Sequence, residues 1–214
     1  MLMTQNQVTR CELDAIPRPA DTKTYSPLDY GWLADTIKSR IEDRTGLTPT
    51  REEFGTAREG MQLFGCYGYD TGNPTLSFET AWRCSYSQTL SLLLGMGASA
   101  NVCDNMMMWG EGTQTLRRQT KNARADLIGL LDKAIDSALP NFSAMVEASE
   151  RMQSRAVNTD TGYGILGRAI GNGLLNGPQS TIAFREWKTP RHEVYQDRNL
   201  WSLYNAGTEA LKKG

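Results

Sequence analysis

From Leu76 to Ser87 the chain alternates without a break. Leu76, Phe78, Thr80, Trp82, Cys84 and Tyr86 fall on one side, and Ser77, Glu79, Ala81, Arg83, Ser85 and Ser87 on the other. Successive side chains of a β-strand point to opposite faces, so this period of two fits a strand with one face in a core and the other wet. Such a strand must hydrogen-bond its backbone to neighbours, and the flanking residues provide them. Met61, Leu63, Tyr67 and Tyr69 share one face of a preceding strand, and Asp70-Thr-Gly-Asn-Pro74 supplies the turn between the two. Residues 90–96 read as the next strand and 95–99 as a turn. Val102, Cys103 and residues 106–109 read as the last strand of an antiparallel meander. The Met106-Met107-Met108 run reads as soft core filling.

Elsewhere the period is helical. Ser26 as cap and Pro27 in the first turn start a helix carrying Leu28, Trp32, Leu33, Ile37 and Ile41, with Gly46 at its C-terminal cap. Residues 48–60, charged in both signs with Pro49 and two glycines, read as a loop. Residues 113–155 read as two helix-like segments in tandem, the first ended or kinked at Pro140. Its apolar stripe is Leu116, Ala123, Leu127, Leu130, Leu131, Ala134, Ile135, Ala138 and Leu139. A short helix at 158–170, a strand at 181–187 and a final helix at 199–213 complete the pattern. The expected fold is α+β: a mostly antiparallel sheet from residues 61–109 and 181–187, packed against several helices. A chain of 214 residues favours one core, so a single domain is expected over 26–214. Residues 1–25, polar with Pro17 and Pro19, would form an extended or mobile arm.

Composition narrows the class. With 39% hydrophobic and 22% charged residues the chain is ordinarily globular. No apolar run approaches the roughly 18 residues that span a bilayer, and the N-terminus lacks the build of a signal peptide, so a cytoplasmic protein is expected. Four scattered cysteines, without a C-x-x-C pair or partnering histidines, argue for free, mostly buried thiols and against a zinc site.

Catalytic signals are weak. Gly162-Tyr-Gly164-Ile-Leu-Gly167 satisfies the dinucleotide-binding string, but the residues before it are polar where that motif requires a buried strand. A nucleotide-binding enzyme built on Gly162, Gly164 and Gly167 remains the alternative. His192, the single histidine, sits in a charged run without a nucleophile beside it in sequence. No phosphate-binding P-loop and no metal-ligand pair occurs, so neither catalysis, cofactor nor metal is expected.

A binding surface is the stronger signal. Arg117, Arg118, Lys121 and Arg124 precede Asp126, the first acid after them, an order that opposes the dipole of a helix starting at 113. Something other than local helix stability would keep them there. Arg185, Trp187, Lys188 and Arg191 form a second basic and aromatic group, and Lys212 and Lys213 close the chain. Cations that track phosphates beside aromatic faces that stack bases are the ingredients of single-stranded nucleic-acid binding. Trp32, Trp82 and Trp201 sit on apolar faces and are assigned to the core. The net charge of −1 excludes a uniformly basic coat but not a local basic surface.

Three segments carry a resemblance: Arg83-Cys-Ser-Tyr-Ser-Gln88, Asn101-Val-Cys-Asp-Asn105 and the closing Leu200-Trp-Ser-Leu-Tyr-Asn-Ala-Gly-Thr-Glu-Ala-Leu211. In this order the chain resembles, over roughly residues 76–212, a phage and plasmid family whose function is not established. It departs from that pattern at Tyr86-Ser87-Gln88, where the family has histidine, aspartate and glycine, and no arginine leads into Val102-Cys103. In overall character the chain also resembles the Drc-type single-stranded-DNA-binding RNA polymerase cofactors of Pseudomonas podophages. That resemblance implies a non-catalytic protein of low sequence specificity serving transcription, replication or recombination. Its partners would be single-stranded DNA and a phage RNA polymerase, with self-association along the DNA. A host-interaction or structural protein is the other alternative.

Overall fold

The computed structural model describes residues 6–100, 103–107 and 114–211. The chain divides into two compact units, 1–143 and 144–214, each with apolar residues of its own core, where the sequence suggested one domain over 26–214. The α+β class holds.

Unit 1 is built on an antiparallel sheet of seven strands among the described residues. They are β1 (Asn6–Val8), β2 (Pro49–Ala57), β3 (Gln62–Tyr69), β4 (Leu76–Ser85), β5 (Leu92–Ala100), β6 (Cys103–Met107) and β7 (Gln114–Arg117). The strands from β1 to β6 lie in chain order, and β7 also pairs with β5. The two share one edge of β5: β7 takes Leu92 to Gly95 and β6 takes Ala98 to Ala100.

Register explains the inner face. Leu63, Tyr67 and Tyr69 of β3 oppose Cys84, Thr80 and Phe78 of β4, whose neighbours on β5 include Leu94, Met96 and Ala98. All are buried. Gly65 opposes Trp82, and a Cβ there would come within 2.3 Å of the indole, so the ring lies flat only because glycine leaves the space. Tyr67 and Phe54 pack on that ring at centroid distances of 4.8 and 6.2 Å.

Two helices of unit 1 flank this face in sequence: α1 (Arg10–Asp14) and α2 (Tyr30–Thr45). The long helix α3 (Ala123–Gln153) begins in unit 1 and contains the division between the units. In α2 the side chain of Asp29 accepts from the Trp32 N–H at 2.8 Å, and Gly46 closes the helix with a left-handed φ of 71°. The start therefore lies at Tyr30, three residues beyond Pro27. Leu33, Ala34, Ile37 and Ile41 of α2 join Ala123, Leu127, Leu131, Ala134, Ile135 and Ala138 of α3 in one core with the sheet aromatics. Arg40 reaches Asp132 at 2.6 Å and Arg44 pairs with Asp136, which ties α2 to α3 by charge as well.

Several sequence expectations are corrected. Residues 48–60 are not a loop but contain β2. The first 25 residues are not a mobile arm throughout: β1 pairs with β2, Thr9 and Glu12 form a capping box, and Leu13 is 1% exposed. Residues 95–99 continue β5. Residues 114–117 are strand, because the edge of β5 at Leu92–Gly95 needs hydrogen-bond partners, and Leu116 is 67% exposed rather than packed. Pro140 does not end α3; the helix continues to Gln153. Cys66 and Cys84 are free and buried, and Cys11 is free and exposed. Trp109 and Met108 lie outside the described residues.

Unit 2 contains α4 (Thr159–Gly171), α5 (Gly177–Lys188), a 3-10 turn (Glu193–Tyr195) and α6 (Leu200–Leu211). Residues 181–187 are thus helical and add nothing to the sheet. Asn176 and Gln179 cap α5 reciprocally, with proline in its first turn. Val157, Leu166, Leu175, Ala183, Trp187, Leu203, Ala206 and Ala210 form the core of this unit.

The glycine string lies inside α4, so the strand-to-helix turn on which the nucleotide alternative depends is missing here. Gly162 has a packing role instead: a Cβ would meet the Trp187 indole at 2.4 Å, whereas nothing lies within 4 Å at Gly164 or Gly167. Gly162→Ala is expected to destabilise by about 1–3 kcal/mol through overpacking. Gly164→Ala and Gly167→Ala are expected to stabilise by about 0.4–1 kcal/mol. Thermal melts of the three variants check both signs.

Candidate nucleic-acid interface

The register brings three connections to one end of the sheet. Ala57 pairs with Gln62, Gln62 with Ser85, and Leu92 with Arg117. The β2–β3 turn, the β4–β5 turn and the link from β7 to α3 therefore share that end. It carries Arg58, Arg118 and Lys121, all exposed, with Glu59 as the acid of the β2–β3 turn.

The link is short and held from inside. Gln119 is buried between the exposed Arg118 and the half-buried Thr120. Its Oε1 accepts from the Leu28 N–H and its Nε2 donates to the Ser85 carbonyl, both at 2.8 Å. Its own carbonyl accepts from the Ser26 N–H at 3.1 Å. The Tyr25 hydroxyl donates to the same Ser85 carbonyl at 2.8 Å, and burial pushes that phenol up to about 12, so it stays a donor across the physiological range. Sequence reasoning passed over Gln119; a polar residue between cations carries no signal of burial.

The four cations of the first cluster differ in their surroundings. Arg117 pairs with Asp126 and also donates to Thr120 at 3.3 Å, so it fastens the strand to the first turn of α3. The Arg124 guanidinium lies over the Trp32 ring, 4.2 Å from its centroid. Arg118 and Lys121 are exposed and form no ion pair within 4.0 Å among the described residues. Asp21 lies within electrostatic reach of Lys121: hydrogen bonds from Ser26 and then Arg18 hold its carboxyl below the usual range, with Lys121 a smaller influence.

The second cluster belongs to unit 2 and is largely structural. Trp187 is 1% exposed, donates from Nε1 to the Thr159 carbonyl at 3.4 Å and has the Arg198 guanidinium 4.6 Å over its ring. A base has no access to it, so the expectation of Trp187 as a stacking platform is corrected: the indole is core. Arg191 bridges Glu186, at 2.7 Å, and Glu209, both carboxylates buried. Arg185 stands 3.9 Å from Glu186, and Lys188 is exposed. Lys212 and Lys213 lie outside the described residues. His192 packs edge-on against Tyr195 at 5.9 Å.

Two further cavities are lined by described residues. At the other end of the sheet a polar cleft of about 320 Å³ is lined by Arg51, Asp70, Ser77, Glu79 and Ser99 among others. Its charge is largely neutralised from within, since Arg51 pairs with the buried Glu79. In unit 2 an apolar groove of about 350 Å³ is lined by residues that include Ile165, Leu174, Leu203 and Leu211.

No family model, curated protein or solved structure matches the chain.

Two variants separate structure from surface here. Trp187→Ala is expected to cost about 3–5 kcal/mol of stability while every exposed cation remains. Gln119→Leu strands the buried Leu28 N–H, and is expected to cost about 1–3 kcal/mol while the cations remain. Chemical denaturation measures both.

Proposed function

We propose that this protein binds single-stranded DNA with little sequence preference and without catalysis, through the cations of the β7–α3 link. The observation that carries the reading is a pair of exposed cations, Arg118 and Lys121, with no ion pair within 4.0 Å among the described residues, flanking a buried residue that fixes their backbone. Cations held in place lose less freedom on meeting a phosphate than cations on a mobile tail. Arg124 adds a third positive charge beside an aromatic ring. The resemblance to phage polymerase cofactors extends the proposal: support of transcription by a phage RNA polymerase, or of replication or recombination, in the host cytoplasm. Self-association along the DNA belongs to the same proposal.

The absence of any helix among the described residues that is long and apolar enough to cross a membrane is compatible with this reading. Exposed Leu174 and Leu211 beside the apolar groove of unit 2 support a protein partner in addition to the nucleic acid.

The test is a salt titration of binding to a single-stranded oligonucleotide. Log affinity falls linearly with log salt, by about 0.7 for each phosphate neutralised on a single strand. Replacing Arg118, Lys121 and Arg124 together by alanine is expected to make the slope shallower by about 0.7 per lost contact, across all sequences alike. Stability changes little: the Arg124–Trp32 contact is worth about 0.5–1 kcal/mol and the other two less. An unchanged slope, or a parent protein that binds no oligonucleotide at low salt, overturns the proposal.

A further inference from the structure

The sheet has a second face, opposite the aromatic core. Directly paired residues share a face, so Gly55, Phe64, Arg83, Leu93 and Leu116 form one row across β2, β3, β4, β5 and β7. Phe64 is half-buried, Arg83 exposed, Leu93 half-buried and Leu116 exposed. Phe64 stands apart from the core cluster that holds Phe54, Tyr67, Tyr69, Phe78 and Trp82. Arg83 forms no ion pair within 4.0 Å among the described residues. The row therefore presents an aromatic ring and a planar cation side by side, with two leucines beyond the cation and Gly55 beyond the ring.

Its position connects it to the cations already described. The pair Leu93–Leu116 adjoins the pair Leu92–Arg117, the last before the link that carries Arg118 and Lys121. Neighbouring strands lie about 4.8 Å apart, so the row extends about 14 Å from Phe64 across to Leu116. We propose that this row is the base-stacking platform of the single-stranded DNA site: a base lies on Phe64, the Arg83 guanidinium takes the next base face or its phosphate, and the backbone continues onto Arg118 and Lys121. The inference rests on the nucleic-acid reading above and deepens it by naming where the bases go.

Charge selects this occupant over others. The row contains a cation and no acid. Among the described residues the acids on the same face, Glu53 and Glu79, lie further along the strands, and both stand beside Arg51. A second copy of this face packed two-fold on the first would set Arg83 against an identical basic row, which like-charge repulsion opposes. A polyanion with flat apolar bases satisfies both the cation and the ring.

The experiment compares Phe64→Leu, Phe64→Trp and Arg83→Ala with the parent on a deoxythymidine 20-mer and on an abasic strand of equal length, by anisotropy over a range of salt. Phe64→Leu is expected to bind the 20-mer roughly 5- to 150-fold more weakly, the worth of one stacked base, with the salt slope unchanged. On the abasic strand it should match the parent. Phe64→Trp keeps a π-face and should bind at least as tightly as the parent, which guards against a Phe64→Leu loss caused by unfolding. Arg83→Ala should weaken binding to the 20-mer. If the parent binds the 20-mer and Phe64→Leu binds equally well, the platform is refuted while the phosphate track stands. If the parent binds neither strand, the function itself falls and the platform with it. A fall in oligomeric mass on Phe64→Leu, read by sedimentation, with DNA affinity unchanged, would make the row a self-association face and overturn the proposal.

Discussion

The Gln119 side chain commits both ends of its amide to backbone groups, one on Leu28 and one on Ser85, and its own carbonyl receives the Ser26 N–H. Three segments far apart in sequence meet at that residue: the stretch before α2, the end of β4 and the link from β7 to α3. A buried amide with unmet donors or acceptors is costly, so the three segments hold one another in register. Next to it, Tyr30 and Tyr86 stack at 3.8 Å, and each hydroxyl accepts the other residue's backbone N–H, at 3.1 and 3.2 Å. Burial raises both phenols well above their ordinary range, which keeps the pair neutral. The basic end of the sheet is thus the surface of a closed polar network, and the exposed cations inherit its rigidity.

The sheet was legible wherever one face is buried along a whole strand. β4 alternates in sequence because the core takes every second residue from Leu76 to Cys84. β2 was illegible for the converse reason: its first half, with Arg51, Glu52 and Glu53, answers to ion pairs with Glu79 and Lys38, and only Phe54, Gly55 and Thr56 are buried in succession. Charged residues of alternating partners look like a loop. In α5 the residues Thr181, Ile182, Phe184 and Trp187 have strand-like composition, yet Ala183 and Trp187 bury at a helical spacing of four beneath an Asn176 cap. Propensity pointed one way and capping with burial the other, and packing decided.

The candidate site was half legible. The order of Arg117, Arg118, Lys121 and Arg124 ahead of Asp126 was a true anomaly, but its cause is not a helix opposing its own dipole. Only Arg124 is in the helix; Arg117 ends a strand and pairs with Asp126 across the link. Trp187 could not be told from a surface aromatic by composition, because its burial depends on the space left by Gly162 on another helix. Phe64 was visible in retrospect as the large apolar residue on the wrong parity of β3, the one whose side faces away from Leu63 and Tyr67.

Counting arginines overstates a basic surface, and net charge understates it. Arg40, Arg51, Arg117 and Arg191 each stand against a carboxylate, so their fields close locally and little reaches solvent. The same pairing removes Asp132, Glu79, Asp126, Glu186 and Glu209 from the acid side. Charges separated by more than about 10 Å are screened at ordinary ionic strength, so a phosphate at the sheet end responds to Arg118, Lys121, Arg124 and Arg83 and to the few acids near them. A chain of net charge −1 can for this reason present a positive field to a polyanion at one end of its sheet.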